Sequence, residues 1–278
     1  MLRLLQIELY KIRHNRASKV LIITYFILLT SIALIAAIKF DIGPVKFHLA
    51  EQGIFNFPYI WHFNTYMAAM FKLFLLLVIV SMIANEYSNK TLKQNLIDGL
   101  SKKEFILSKF YTVVLFALIS TVFVFVVSII LGMIYSDYDE VSIIFSDLEY
   151  LLAFFVKLMA FFSMGLFLGV LIKRSAFAVG AMLMWLIVEN IGYGIFKWEL
   201  FPDSDTADKI FQFAPLKAMG NLIDEPFSRL NAVKTVAKQV GENINYDYAV
   251  HWYEIVIVLT WTAIFIYGSY YLLKIRDL

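Results

Sequence analysis

Apolar residues in this chain are gathered into runs of about 20, the length at which an α-helix crosses the hydrocarbon core of a bilayer. Such runs lie at 20–38, 64–84, 110–134, 151–172, 176–196 and 251–273. The pattern predicts an all-α polytopic membrane protein: one transmembrane domain over 1–278 with six spanning helices. Ahead of the first run, residues 1–19 set Leu2, Leu5, Leu9 and Ile12 at helical spacing among Arg3, Lys11, Arg13, Arg16 and Lys19. Leu4 and Ile7 fall off that stripe, so the predicted helix is moderately amphipathic. It is expected to lie on an anionic membrane surface, in contact with membrane lipids, and to enter the first span at Val20. The basic segment and the apolar run after it are both too long for a signal peptide, so an uncleaved first span is expected.

The polar stretch Asn85 to Lys109, NEYSNKTLKQNLIDGLSKKEFILSK, separates the second run from the third. It predicts a short helix over Asn89–Ile97, with Leu92 and Leu96 one turn apart on one face. Asp98-Gly99 closes that helix, because glycine takes the left-handed conformation of a C-terminal cap. Ser101 and Glu104 then have the spacing of a capping box that opens the next helix. Five residues of the stretch are basic: Lys90, Lys93, Lys102, Lys103 and Lys109. A short capped helix between two spans is either a surface that touches a partner or an ordinary solvated loop.

Basic residues set the orientation. With the N-terminus inside, segments 1–19, 85–109, 173–175 and 274–278 carry 14 Lys and Arg, against 8 in 39–63, 135–150 and 197–250. Most of those 8 lie in 197–250, and long loops obey the rule weakly. Segment 135–150 is wholly acidic, with Asp137, Asp139, Glu140, Asp147 and Glu149. Both termini are therefore expected in the cytoplasm of a multi-pass cell-membrane protein, a bacterial inner membrane being the expected setting. On the outside, Phe47, Phe55, Phe57, Tyr59, Trp61 and Phe63 have the density of rings expected at a headgroup interface. The loop 197–250 is long for a connection. Its Ile210, Phe211, Phe213, Leu216, Met219, Leu222 and Ile223, broken by Pro215 and Pro226, suggest a surface that dips back to the membrane; a small external cap competes with that reading.

Composition narrows the picture. Of 278 residues, 61% are hydrophobic and 17% charged, below the quarter or so typical of soluble domains. Within the spans, Lys72, Lys157 and Glu189 are expensive in hydrocarbon and should face other helices or water. Counted along the helices, all three fall roughly 9–12 Å below the outer surface. A Lys–Glu pair across helices is therefore expected, alongside the alternatives of a purely structural pair or of lysines snorkelling outward. Gly165 and Gly169 form a small-xxx-small face suited to close helix packing. The net charge of +2 does not point to nucleic acid, and the absence of Cys excludes disulfide and thiolate chemistry. No GxxxxGK[ST], HExxH or GxSxG occurs, and His14, His48, His62 and His251 lack metal-ligand spacing. No catalytic residue, metal site or bound cofactor is expected, so the chain is not read as an enzyme. No repeat relates its halves, which leaves an inverted-repeat transporter without support.

The segments IELYKIRHNR and NEYSNKTLKQNLIDGLSKKEFILSKF, set among six spans, resemble the permease subunits of type-2 ABC exporters. In that family a basic interfacial helix carries Glu-x-x-Lys, here Glu8 and Lys11, with Arg13 just beyond. The segment after the second span starts with a Glu, here Glu86, passes a Thr, here Thr91, and reaches Ser101, Lys102, Phe105 and Lys109. The resemblance implies two paired permease copies, as a homodimer or heterodimer, each docked to a separate cytoplasmic P-loop ATPase that holds the ATP and Mg. The Asn89–Ile97 helix would be the coupling helix, with Leu92 and Leu96 in a groove of the ATPase and Lys90, Lys93, Asp98, Gly99 and Glu104 around them. ATP-driven closure would move a substrate outward, and the aromatic, apolar outer loops suit an amphiphile. A transporter or channel using Lys72, Lys157 and Glu189 as an ion or proton relay, and a non-transporting scaffold, are the alternatives.

Overall fold

The structure is a computed structural model that describes residues 2–35, 39–42, 45–48, 53–202, 204–230, 233–234 and 247–276. Helix α1 (Leu2–His14) meets α2 (Arg16–Ile35) at 92°. Asn15 makes the corner: its side chain accepts from the Ser18 amide at 3.1 Å, supplying an N-cap for α2. A small antiparallel hairpin, β1 (Lys39–Ile42) and β2 (Val45–His48), follows, so the chain is not helical throughout. Helix α3 (Tyr59–Met70) and α4 (Lys72–Ser88) are bent by 46° at Phe71, where Phe71 and Phe74 make i→i−3 bonds that interrupt the α-helical ladder. The short α5 (Thr91–Ile97) leads to α6 (Lys102–Tyr135), then to α7 (Val141–Ile144), α8 (Glu149–Ile172) and α9 (Ser175–Ile195). A π-helical turn at Phe196–Leu200 ends α9; α10 (Thr206–Phe211), α11 (Pro215–Asn221), a 3₁₀ turn at Phe227–Arg229 and α12 (Trp252–Ile275) complete the described elements.

Four helices among the described residues are long and apolar enough to cross a membrane, and up to six if the bent pairs α1–α2 and α3–α4 each count as one span. The elements differ in length from the sequence expectation. Helix α6 begins at Lys102 rather than near 110, and the second run starts at Tyr59, ahead of 64. Residues 36–38 of the predicted first span, and 231–232 and 235–246 of the long loop, lie outside the described residues.

The bundle is organised on α8, which packs against α12, α4, α6 and α9. Gly165 and Gly169 turn towards α4. A Cβ on Gly165 would stand 2.2 Å from the Leu76 Cδ1, and one on Gly169 would meet the Ile83 Cβ at 3.3 Å. Close backbone approach of this kind drives helix association where lipid removes the hydrophobic advantage. At one end of the bundle the aromatic residues before and at the start of α3 pack inward, against the expectation that these rings face outward. Phe55, Phe57, Trp61 and Phe63 are buried, with the Phe57 ring over Gly132 and Trp61 stacked on Phe125 at 5.5 Å. The Trp61 indole also donates to the Ile144 carbonyl at 2.9 Å. The side chain of Phe47 lies outside the described residues. We refer to this as the aromatic end, and to the opposite end, which carries α1, α5 and the start of α6, as the basic end.

Candidate functional site

At the basic end an ionic knot draws four helices together. Glu8 projects from the buried face of α1, next to Ile12, and Arg13 stays in the exposed face. Lys109, on the second turn of α6 and then some, is fully buried, and its Nζ donates to Glu8 Oε2 at 2.5 Å and to Glu86 Oε1 at 2.8 Å. Lys11 donates to Glu86 Oε1 from the rim at 2.6 Å and lies 3.6 Å from Glu8 Oε1. On its other oxygen, Glu86 accepts from Thr91 Oγ1 at 2.5 Å and from Asn95 Nδ2 at 3.4 Å. Burial opposes the ionisation of Glu86, but the Lys109 charge and the hydrogen bonds from Lys109, Lys11 and Thr91 outweigh it and hold the carboxyl down at about 2. Lys11 is pushed the other way: burial works against its charge, yet Glu86 and Glu8 raise it above the usual lysine range. Two carboxylates and two ammonium groups thus balance at a site sheltered from water.

The knot fixes the pose of α5. Lys90 takes a left-handed conformation, φ 56°, between α4 and α5, so the short helix starts at Thr91 rather than Asn89. Its end is a Schellman motif: Gly99 has φ +98°, its amide bonds the Leu96 carbonyl, and the Leu100 amide bonds the Asn95 carbonyl. Ser101 and Glu104 form a capping box, with Glu104 N donating to Ser101 Oγ at 3.2 Å and Ser101 N to Glu104 Oε2 at 2.9 Å.

This pose contradicts the expectation that Leu92 and Leu96 face a partner. Leu92 is 2% exposed in the chain's own core, and Leu96 packs against that core. The Thr91 and Asn95 bonds to Glu86 roll this side of the helix inward. What α5 presents outward is Lys93, Gln94, Asp98 and Ile97, the last 75% exposed. Lys102 is committed elsewhere: its Nζ donates to the carbonyls of Lys274 and Arg276 at 3.3 and 3.1 Å. Arg276 in turn donates to the carbonyls of Val170 and Leu171 at 2.6 and 3.0 Å, closing the end of α8. The Arg276 contact and the Asn95 contact were not foreseen; an arginine just past an apolar run, placed to meet helix-terminal carbonyls, was the available signal.

The intramembrane charges are not paired as expected. Glu189 makes no ion pair with Lys72 or Lys157 among the described residues. Its carboxylate accepts from the backbone amides of Leu216 and Lys217 at 3.0–3.2 Å and from the Trp185 indole at 2.5 Å. Lys157, 5% exposed, donates to the carbonyls of Gly220 and Ile223 at 3.2 and 3.4 Å. The two residues therefore grip opposite ends of α11, an anion at its free amides and a cation at its free carbonyls. Pro215 at the first position of α11 gives up no amide bond there. Leu216, Met219, Leu222 and Ile223 are buried, whereas Ile210 and Phe213 are exposed. Beside α11, His62 stacks on Tyr150 at 4.4 Å and bonds the Asp224 carbonyl at 2.9 Å, with Arg229 against its other nitrogen. Lys72 sits apart, its Nζ 4.4 Å above the Phe161 ring. Among the described residues, no direct side-chain hydrogen bond links Lys72, Lys157 and Glu189.

A helical bundle with four to six membrane-crossing helices, buried charges and a capped outward-facing helix at one end defines a polytopic membrane protein. A family model described as ABC-2 family transporter protein matches residues 3–278. The chain belongs to this family: it is a permease component of an ABC transporter, a class that associates with an ABC ATPase subunit. Among curated proteins, none matches the chain.

Proposed function

We propose that the chain is the membrane-spanning subunit of an ATP-driven exporter with six spans and both termini in the cytoplasm, coupled to a separate cytoplasmic ATPase through α5. One observation carries the reading: α5 is fastened to α1, α4 and α6 by Glu8, Lys11, Glu86, Thr91 and Lys109, with its outer face left free. A push on that face passes into α1, α4 and α6 through charge-assisted bonds rather than through a slack loop. The docking face differs from the one the Leu92/Leu96 spacing suggested and consists of Lys93, Gln94 and Ile97. ATP and Mg would be held by the partner alone.

The reading includes a second permease copy. Helix α9 buries only Ala178 and Met182, and Ala176, Gly180, Met184 and Val188 run along one uncovered stripe at i, i+4 spacing. Nothing stands within 4 Å of a Cβ built on Gly180, so a neighbouring helix has room for close approach.

The test is purification in mild detergent with and without the ATPase. The chain alone is expected to hydrolyse no ATP, and the joint preparation to contain two copies of each protein and to hydrolyse it. ATP turnover at an ordinary enzymatic rate by the chain alone would overturn the reading.

A further inference from the structure

Lys72 poses a question that the coupling account leaves unanswered. It lies at the first turn of α4, at the bend after α3, and its ammonium has no hydrogen-bond acceptor and no carboxylate partner among the described residues. Its one described neighbour of note is the Phe161 ring. A lone ammonium at membrane depth is costly, and such residues mark sites that handle ligands.

The surroundings give the question a chemical answer. Lys72 and Lys157 line one cavity of about 360 Å³ between α3, α4, α8, α9 and α11. That is within the size range of small-molecule sites. Apart from the two ammonium groups the walls are dominated by apolar side chains, Leu76, Phe161, Met182 and Leu216 among them. Lys157 donates to two backbone carbonyls, so the ammonium in this cavity without a hydrogen-bond acceptor among the described residues is that of Lys72. Beyond Lys157, an adjoining cavity carries three carboxylates, Glu189, Asp224 and Glu225, beside Lys157 and Lys217, so its charges are mixed and the apolar walls with a free ammonium belong to the Lys72 side. On the α9 side the cavity is walled by Val179, Leu183 and Leu186, a face distinct from the Ala176–Val188 stripe, so a hydrocarbon chain meets only apolar side chains there.

We propose that this cavity binds an anionic amphiphile, with a phosphate-type headgroup on the Lys72 ammonium and its alkyl chain along α4 and α9. The headgroup supplies the countercharge that the protein lacks, and the apolar walls supply the contact for the chain. Two sources share this chemistry: a membrane phospholipid that stays in place, and a transported cargo. Only the cargo source rests on the exporter reading above.

The experiment measures ligand-induced thermal shifts of the full-length chain in a neutral maltoside detergent. Three probes are used: dodecyl phosphate, inorganic phosphate and dodecylphosphocholine. The expected result is stabilisation by dodecyl phosphate alone, a half-saturating concentration at least tenfold higher in Lys72→Met, and wild-type behaviour in Lys72→Arg and in the surface control Lys209→Met. An equal shift in Lys72→Met, or equal shifts from inorganic phosphate or dodecylphosphocholine, would overturn the proposal. If Lys72→Met fails to fold, loss of the dodecyl phosphate shift in Lys72→Gln, which removes the charge but keeps a polar side chain, replaces it. Native mass spectrometry then separates the sources. A phospholipid retained by the wild type and absent from Lys72→Met identifies a resident lipid. An empty purified chain whose complex hydrolyses ATP faster with dodecyl phosphate identifies cargo. Binding without either upholds the site and shows that dodecyl phosphate is a stand-in for neither a resident lipid nor the cargo.

Discussion

Lys109 has no exposed surface, and both of its bonds go to carboxylates on other helices, so it is the residue whose loss the basic end tolerates least. Lys109→Met keeps the volume and leaves Glu8 and Glu86 facing each other with only Lys11 between them. Removing one partner of a buried pair costs about 3–5 kcal/mol, and unfolding in detergent should show a loss of that order; a loss under about 1 kcal/mol would mean the knot is slack. The pH dependence has a definite sign. The Glu86 carboxyl is held at about 2, below its ordinary value of 4.5, so its contribution to stability is fully present above about pH 4.5 and fades as pH falls towards 2. The stability gap between wild type and Glu86→Gln should therefore be constant from neutral pH down to about 5 and narrow below it; an equal gap at about pH 3 would contradict the assignment. Glu8, Lys11, Glu86, Thr91 and Lys109 were each marked by the resemblance to the family, and Asn95 by nothing. Their convergence was not legible, because it joins residues up to 101 positions apart through tertiary packing.

Local signals were most readable where they concern a single element. The glycine at 99 and the Ser101–Glu104 spacing specify backbone bonds within a few residues, and those bonds are present. The side of α5 that turns inward was misread because two leucines at i, i+4 look alike whether the groove belongs to a partner or to the chain itself. The bonds of Thr91 and Asn95 to Glu86 decide it. The same limit applies to Glu189. Depth arithmetic brings it level with the lysines, but α11, inserted between them, takes up both charges. Glu189→Leu leaves the Leu216 and Lys217 amides and the Trp185 indole without their acceptor. Loss of an N-cap costs about 0.5–2 kcal/mol. Limited proteolysis should cut the segment between α9 and α12 faster in this variant while the main helices persist; an unchanged cleavage rate would show that α11 is held by packing alone.

Across the whole molecule the knot joins α5 to α1, α4 and α6, and α8 packs against α4, α6, α9 and α12. The central claim is that an ATPase drives these helices by docking on the outer face of α5. Burying Ile97, now 75% exposed, would be worth about 1.5–3 kcal/mol at such an interface, or roughly 10- to 100-fold in affinity. Leu92→Glu is no test of docking, since Leu92 belongs to the permease's own core and a buried charge there would destabilise the platform itself. The direct measurement is ATPase co-purification and ATP turnover for Lys93→Glu/Ile97→Glu, beside the thermal stability of the permease alone. The account predicts a wild-type melting temperature together with at least tenfold weaker ATPase binding. Full binding and full turnover in the double variant, with the permease folded, would contradict it.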